Sequence, residues 1–166
     1  MIINRVWAMP NKWTFTIKPI KHLLERYNVG VGWVDPFAGK YSMAEFTNDL
    51  NPDMPTRYHF KAWYFLDQLK NSYGGILFDP PYSSRQVKEC YESIGLKMEY
   101  KDTLNGNFNI ERKLVAPKIC KNGIAISFGW NSIGFGKKLG FEIIEILLVS
   151  HGGAHNDTIV TVEKKI

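Results

Sequence analysis

The sequence has little cysteine and no long apolar run, and each absence excludes a class of protein. Its 166 residues include only 2 cysteines, Cys90 and Cys120, which form neither a CxxC pair nor a zinc-ligand pattern. We expect both to be reduced, buried thiols of a cytoplasmic protein. No apolar stretch reaches the roughly 18 residues that a membrane-spanning helix needs. Residues 1–10 also lack the charged-then-apolar order of a signal peptide.

Repeats, linkers and basic runs are absent as well. No internal repeat, low-complexity stretch or Pro/Gly/Ser-rich linker divides the chain, so we expect a single domain over residues 1–166. The net charge is +5, but the lysines are scattered through the chain. Scattered lysines are typical of a solvated surface, so the charge is compatible with a polyanionic partner and does not identify one.

The chain does contain an alternation of apolar strands and amphipathic helices. In the first part, the apolar spacing predicts strands at 29–34, 44–50 and 76–78, and helices at 17–27, 63–69 and 85–93. Ser83 and Ser84 stand where the cap of the last of these helices belongs. We interpret 97–109 as a polar loop, followed by a helix over much of 110–121 that Pro117 kinks or restarts. Three further strands are predicted at 124–128, 142–149 and 158–163.

This order of elements predicts an α/β fold. Strands that alternate with helices imply right-handed βαβ units on a mainly parallel twisted sheet, with helices on both faces. The last strands flank 150–157, where Gly152-Gly153 fits the turn of a C-terminal antiparallel hairpin. Ligands of such open sheets gather at the carboxyl ends of the strands, so the residues that follow each strand are the candidates for a site.

The most informative segment is Asp79-Pro80-Pro81-Tyr82, which follows the apolar run 75–78. Proline fixes its own φ and keeps the preceding residue extended, so Asp79 and Pro80 direct their oxygens away from the strand end. A carboxylate, a free carbonyl and an aromatic face suit a planar group with an exocyclic amine, and adenine has that shape. The alternative is a rigid turn in which the aspartate is a cap and the tyrosine packs.

Two other strand ends carry acidic residues. Asp35-Pro36-Phe37-Ala38-Gly39 follows the first predicted strand, and its glycine allows a ligand to approach the backbone. Asp49 ends the next strand, where an acidic residue would bind the ribose hydroxyls of a nucleotide-like cofactor. Solvent-exposed turns are the alternative at both places.

Together these segments resemble the motifs of the adenine-N6 DNA methyltransferases, small prophage-type members in particular. Residues 14–20 are similar to the segment of that family that closes over the cofactor. Residues 128–131 and the hairpin end at 155–157 resemble its C-terminal part. The resemblance implies a Rossmann-like class I methyltransferase fold, S-adenosylmethionine as cofactor and adenine in DNA as substrate.

Carried over by position, the resemblance also implies roles for individual residues. The catalytic residues would be Asp79, Pro80, Pro81 and Tyr82, with the target amine held by Asp79 and the Pro80 carbonyl. The cofactor-binding residues would be Phe15, Asp35, Pro36, Phe37, Ala38, Gly39, Asp49, Leu50, Ala62, Trp63 and Asp79. In this assignment Asp35 and Gly39 flank the methionine moiety, Asp49 binds the ribose, and Trp63 lies near the cofactor's adenine.

The sequence departs from the family pattern at two positions. Tyr41 stands where a second glycine is common, and Lys61 stands where many relatives have an acid that accepts the cofactor's adenine amine. A charged lysine cannot accept a hydrogen bond, so either a nearby backbone group or Asp67 accepts it, or cofactor binding is weaker.

The resemblance leaves the substrate and the partners open. The chain has no large target-recognition segment, which implies low selectivity, a homodimer or a recognition partner. RNA adenine, cytosine N4 and a catalytically silent nucleic-acid-binding subunit are the alternatives. No metal cluster is visible in the sequence. His151 and His155 lie in a Gly-rich turn, so their i, i+4 spacing does not bring them together. Contact with backbone or phosphate is one interpretation, and surface placement is the favoured one.

Overall fold

A computed structural model describes residues 1–70, 72–99 and 108–166. Most of the loop predicted at 97–109 therefore lies outside the described residues. Among the residues that are described, no helix is long and apolar enough to cross a membrane.

Seven strands and four α-helices account for the described fold. The strands are β1 (Ile2–Trp7), β2 (Trp33–Asp35), β3 (Phe46–Thr47), β4 (Tyr73–Phe78), β5 (Ile119–Gly129), β6 (Phe141–Ser150) and β7 (Thr158–Lys165). The helices are α1 (Lys18–Arg26), α2 (Ala62–Gln68), α3 (Ser84–Ser93) and α4 (Asn109–Val115). Short 3-10 turns lie at Thr14–Thr16, Ala116–Lys118 and Lys137–Leu139.

The strands form one sheet in the order β1-β6-β7-β5-β4-β2-β3. Strand β7 is antiparallel to both of its neighbours, and every other pairing is parallel. The predicted mainly parallel sheet with a C-terminal antiparallel hairpin is therefore confirmed. Because all strands except β7 run the same way, their carboxyl ends lie along one edge of the sheet.

Apolar layers cover both faces of this sheet. On one face, Leu77 of β4 belongs to a cluster with Ile20 and Leu24 of α1. On the other face, Ile76 and Phe78 of β4 pack in a cluster with residues of α2 and α4. Strand β4 is buried on both sides, which explains why its sequence is continuously apolar rather than alternating.

Most of the predicted elements are confirmed, with some corrected bounds. Helices α1, α2 and α3 lie where the apolar spacing predicts them, and the Ser83 hydroxyl caps α3 by accepting from the Gln86 N–H at 3.2 Å. The helix predicted over 110–121 is wrong in its second half, because Pro117 lies in a 3-10 turn and β5 begins at Ile119. Strands β2 and β3 are shorter than predicted.

Strand β1 is absent from the sequence prediction. It is an edge strand paired only with β6, and most of its side chains are exposed, Ile3 by 58%. Burial therefore imposes no alternation on its sequence, and alternation is the signal that identifies a half-buried strand.

Candidate active site

The carboxyl edge of the sheet borders a cavity of about 1010 Å³. Its walls come from residues that follow β1, β2, β3, β4, β5 and β6, as expected for ligand sites of open α/β sheets. A smaller cavity of about 130 Å³ shares Lys12, Thr14, Phe37 and Asp79 with the larger one. Asp79 therefore lies where the two spaces meet.

Asp79 follows directly after β4 and is partly buried. The Tyr82 hydroxyl donates a hydrogen bond to Oδ1 of Asp79 at 2.5 Å. The Tyr82 N–H donates to the Gln86 side chain at 2.6 Å, which fixes the tyrosine backbone to the first turn of α3. The segment 79–82 is thus a turn that leads into a capped helix and also lines the larger cavity.

Burial controls the protonation of this pair. Desolvation raises the pKa of Asp79 to about 6, against hydrogen bonds from Tyr82 and Thr14 that lower it. Burial and the neighbouring Asp79 carboxylate raise the pKa of Tyr82 well above its ordinary value. At neutral pH the aspartate is therefore ionised and the phenol is a neutral donor.

Two aromatic rings meet beside Asp79. Trp130, which follows β5, contacts the ring of Tyr82 edge-on, with centroids 5.7 Å apart and an interplanar angle of 70°. Trp130 is 43% exposed and lines the larger cavity. The wall next to the carboxylate therefore presents aromatic surface to a planar ligand.

Asp49 and Gly39 connect the turns after β3 and β2. Oδ2 of Asp49 accepts from the Gly39 N–H at 2.9 Å, and Oδ1 accepts from the Asn51 N–H at 2.8 Å. Gly39 has a φ of +55°, which glycine adopts without strain. Asp49 is half-buried and lines the larger cavity, so its carboxylate holds the turn at the cavity wall.

Asp35 differs from the other predicted site residues because it lines neither cavity. It is 0% exposed; its Oδ1 accepts from the Phe37 N–H at 3.0 Å and its Oδ2 from the Ser42 hydroxyl at 2.6 Å. Desolvation raises the pKa of Asp35 to about 8. Both carboxylate oxygens therefore accept hydrogen bonds from within its own loop.

The structure brings the remaining predicted residues together around the two cavities. The larger cavity is lined by Pro36, Phe37, Asp49, Leu50, Ala62, Trp63, Asp79, Pro80, Pro81 and Tyr82. The smaller cavity is lined by Phe15, Phe37, Ala38, Gly39 and Asp79.

The two departures from the family pattern lie at the cavities as well. Tyr41 borders the smaller cavity and contacts Trp13 edge-on, with centroids 5.6 Å apart. Lys61 lines the larger cavity, and its Nζ lies 5.8 Å from the centre of the Tyr91 ring. Asp67 lines neither cavity, so it is not placed to take over the role of the acidic residue that many members of the resembled family have at the position of Lys61.

Several residues have placements that the sequence did not predict. Phe60 and Glu111 line the larger cavity. Phe60 could have been found from the sequence, because it is an aromatic residue two positions before the predicted cofactor residues Ala62 and Trp63. Nothing in the sequence around Glu111 distinguishes it from an ordinary polar residue of a helix.

Two predictions about polar side chains need correction. His151 is buried rather than on the surface, with Nδ1 2.8 Å from the Ala8 carbonyl oxygen and Nε2 2.9 Å from the Thr158 hydroxyl. Cys90 is exposed and Cys120 half-buried, so neither is the buried thiol expected. Among the described residues, no group of His, Cys, Asp and Glu could hold a metal ion.

Comparisons with known proteins identify the fold. No protein-family model and no curated protein matches the sequence. The structure is similar to TrmN from Thermus thermophilus, with a TM-score of 0.59 and 15% identity over 90% of this chain and 49% of that one. This chain therefore spans about half the length of TrmN.

Two further solved structures agree. The candidate methyltransferase YhhF from Escherichia coli has a TM-score of 0.54 and 10% identity, over 90% of this chain and 85% of YhhF. A conserved hypothetical protein from Streptococcus pyogenes has a TM-score of 0.52 and 14% identity, over 89% of this chain and 94% of that protein. The chain has the Rossmann-like methyltransferase fold.

Proposed function

We propose that the protein is an S-adenosylmethionine-dependent methyltransferase that methylates the N6 amine of adenine in DNA. The observation that carries this proposal is the position of Asp79 at the junction of the two cavities, beside the rings of Tyr82 and Trp130. An ionised carboxylate next to aromatic surface suits a base that carries an exocyclic amine.

The residues around the cavities fit the proposed cofactor. Asp49 has spare lone pairs on both oxygens, since each accepts one backbone N–H, so it can also accept ribose hydroxyls. Trp63 is 44% exposed and offers its ring to an adenine. Phe37 and Gly39 lie at the smaller cavity, where the methionine part would be held. When bound, S-adenosylmethionine supplies a methyl group activated by a positively charged sulfur.

The proposed mechanism rests on hydrogen bonds from the target amine to Asp79 and Pro80. The N6 lone pair is delocalised into the adenine ring, which makes the nitrogen a poor nucleophile. Hydrogen bonds from its protons to the Asp79 carboxylate and the Pro80 carbonyl would favour a pyramidal nitrogen with an available lone pair. Orientation and stabilisation of the positive charge that develops on N6 supply most of the rate.

Asp79 would also accept the proton that N6 must lose after methylation. Its carboxylate is the base nearest to the amine in this arrangement, and burial raises its pKa to about 6. It is therefore ionised at neutral pH and more basic than an exposed aspartate.

DNA is the proposed partner, with the adenine flipped out or already single-stranded. A stacked base hides its N6 from any enzyme, so the target must leave the duplex stack to reach the cavity. The net charge of +5 favours a polyanion. We propose low sequence selectivity, or recognition supplied by a second copy or another protein.

The product of the reaction tests this function. The protein is incubated with labelled S-adenosylmethionine and either DNA or RNA, and the nucleic acid is digested to nucleosides. The expected product is N6-methyldeoxyadenosine. A label in a cytosine or in RNA alone would contradict the proposal.

A thermal shift measures cofactor binding independently of the reaction. A ligand that binds only the folded state raises its stability, so S-adenosylmethionine should raise the melting temperature. Asp49→Asn is the variant expected to weaken this shift. A catalytically silent subunit would show neither the shift nor the product.

A further inference from the structure

The acceptor that the proposed mechanism assigns to the target amine is already engaged. Oδ1 of Asp79 accepts the Tyr82 hydroxyl at 2.5 Å, a short and charge-assisted hydrogen bond. The ring of Tyr82 also belongs to the aromatic surface on which the proposed base would stack. In this structure the Tyr82 hydroxyl therefore occupies one acceptor site of the carboxylate that the amine needs.

Only the side chain of Tyr82 has to move to release that acceptor. Its backbone N–H is held by the Gln86 side chain at 2.6 Å, and the next residue, Ser83, caps α3. The ring contacts Trp130, which is partly exposed at the cavity wall. Rotation about the side-chain bonds of Tyr82 would thus free Asp79 without disturbing the turn.

Thr14 is a second hydroxyl at the same carboxylate. It lies in the 3-10 turn before α1, lines both cavities and forms hydrogen bonds with the side chains of both Asp79 and Tyr82. Because this threonine comes from another part of the chain than Tyr82, its bond to Asp79 does not require the Tyr82 hydroxyl to stay where it is.

We propose that the Tyr82 hydroxyl occupies the position of one target-amine N–H on Asp79, so that adenine binds by displacing it. Thr14 acts as a positioning residue that keeps the carboxylate oriented after the exchange. This inference rests on the proposed function, because it identifies the competitor for the same acceptor. Adenine binding then exchanges one hydrogen bond to Asp79 for another.

The exchange makes an unusual prediction for Tyr82→Phe. The variant keeps an aromatic ring for stacking but removes the hydroxyl that occupies an acceptor site on Oδ1 of Asp79. We expect its affinity for a single-stranded oligonucleotide with one adenine to rise roughly 10-fold, which corresponds to about 1.4 kcal/mol. That size is near the lower end for a hydrogen bond to a charged group. Binding is measured by fluorescence anisotropy without cofactor.

Three controls isolate the amine. The same oligonucleotide with an amine-free purine in place of adenine should gain much less from Tyr82→Phe. Thr14→Val removes the other hydroxyl but leaves the Tyr82 bond, so it should not tighten binding and should lower kcat instead. Tyr64→Phe makes the same chemical change at an exposed tyrosine outside both cavities and should change nothing.

A measurement on the unmodified protein covers the case in which Tyr82→Phe fails to fold. With tyrosines labelled at the hydroxyl-bearing carbon, the NMR signal of Tyr82 should shift when the adenine oligonucleotide is added, and shift less with the amine-free purine. Equal shifts with both oligonucleotides would overturn the exchange.

The outcomes separate this inference from the function beneath it. Tighter binding of adenine by Tyr82→Phe alone supports the exchange. If the unmodified protein methylates adenine but Tyr82→Phe binds it no more tightly, the exchange is wrong and the function stands. If the unmodified protein methylates no adenine in DNA, the function and the inference fail together.

Discussion

Asp35 and Asp79 begin from the same local pattern and end in different environments. Asp35 is the last residue of β2, Asp79 follows the neighbouring parallel strand β4, and each precedes a proline. Asp35 lies in no cavity and accepts from the Phe37 N–H and the Ser42 hydroxyl of its own loop. Asp79 borders both cavities and accepts from the hydroxyl of Tyr82. The two aspartates thus differ in their hydrogen-bond partners and in whether they border a cavity, although both stand at strand ends.

Their protonation differs in the same direction. Burial is the largest cause of the raised pKa in both cases, to about 8 for Asp35 and about 6 for Asp79. At pH 7 the first carboxyl is therefore mostly protonated and the second mostly ionised. An ionised carboxylate attracts an amine more strongly, which favours Asp79 as the group that binds substrate.

The largest effect should come from Asp79→Ala. Loss of a preorganised polar group that acts in the transition state lowers kcat by about 100-fold to 1000-fold. The affinity for S-adenosylmethionine, measured by calorimetry, should change little. Asp67→Ala is the matched control, since Asp67 is exposed and outside both cavities. Turnover that survives in Asp79→Ala would remove Asp79 from the mechanism.

The pH dependence of the reaction should reflect the ionisation of Asp79 and not that of Asp35. Because the Asp79 carboxylate must be ionised to hold the amine, kcat/KM should fall about tenfold for each pH unit below its pKa, which is about 6. The profile of Asp35→Asn should have the same acid limb. An acid limb that disappears in Asp35→Asn would mean that the wrong aspartate has been assigned.

The sheet and its helices could be predicted because the apolar pattern of each element lies within one short segment of the sequence. The apolar spacing of α1 and the serine before α3 are local signals, and so are the apolar residues of β4. The partner of each aspartate is not a local property. Ser42 reaches Asp35 from the far side of a turn, and Thr14 reaches Asp79 from another part of the chain. A motif therefore indicates where a carboxylate lies, whereas only the fold shows what already occupies it.

Stability should depend on pH through Asp35, with a sign that distinguishes it from a salt-bridged aspartate. Its pKa is raised in the folded state, so its contribution to stability is fully present below about pH 4 and is lost as pH rises through about 8. Asp35→Asn cannot ionise. We expect the free energy of unfolding of Asp35→Asn, minus that of the unmodified protein, to increase by up to about 1.4 kcal/mol for each pH unit in this window.

Urea titrations at pH 5, 6.5 and 8 measure this difference. Asp79 is present in both proteins, so its own titration cancels when the two free energies are subtracted. A constant difference across the three pH values would mean that Asp35 is ionised in the fold throughout, contrary to its burial.

The smallest effect should come from Ser42→Ala, which removes one partner of Asp35 and nothing from the cavities. Ser42 lines neither cavity, and its hydroxyl donates to Oδ2 of Asp35 at 2.6 Å. We expect a loss of about 1 kcal/mol in the free energy of unfolding, with cofactor affinity unchanged. Ser132→Ala, at an exposed position, is the control. If Ser42→Ala weakens cofactor binding more than it weakens the fold, Asp35 belongs to the ligand site after all, and the contrast with Asp79 disappears.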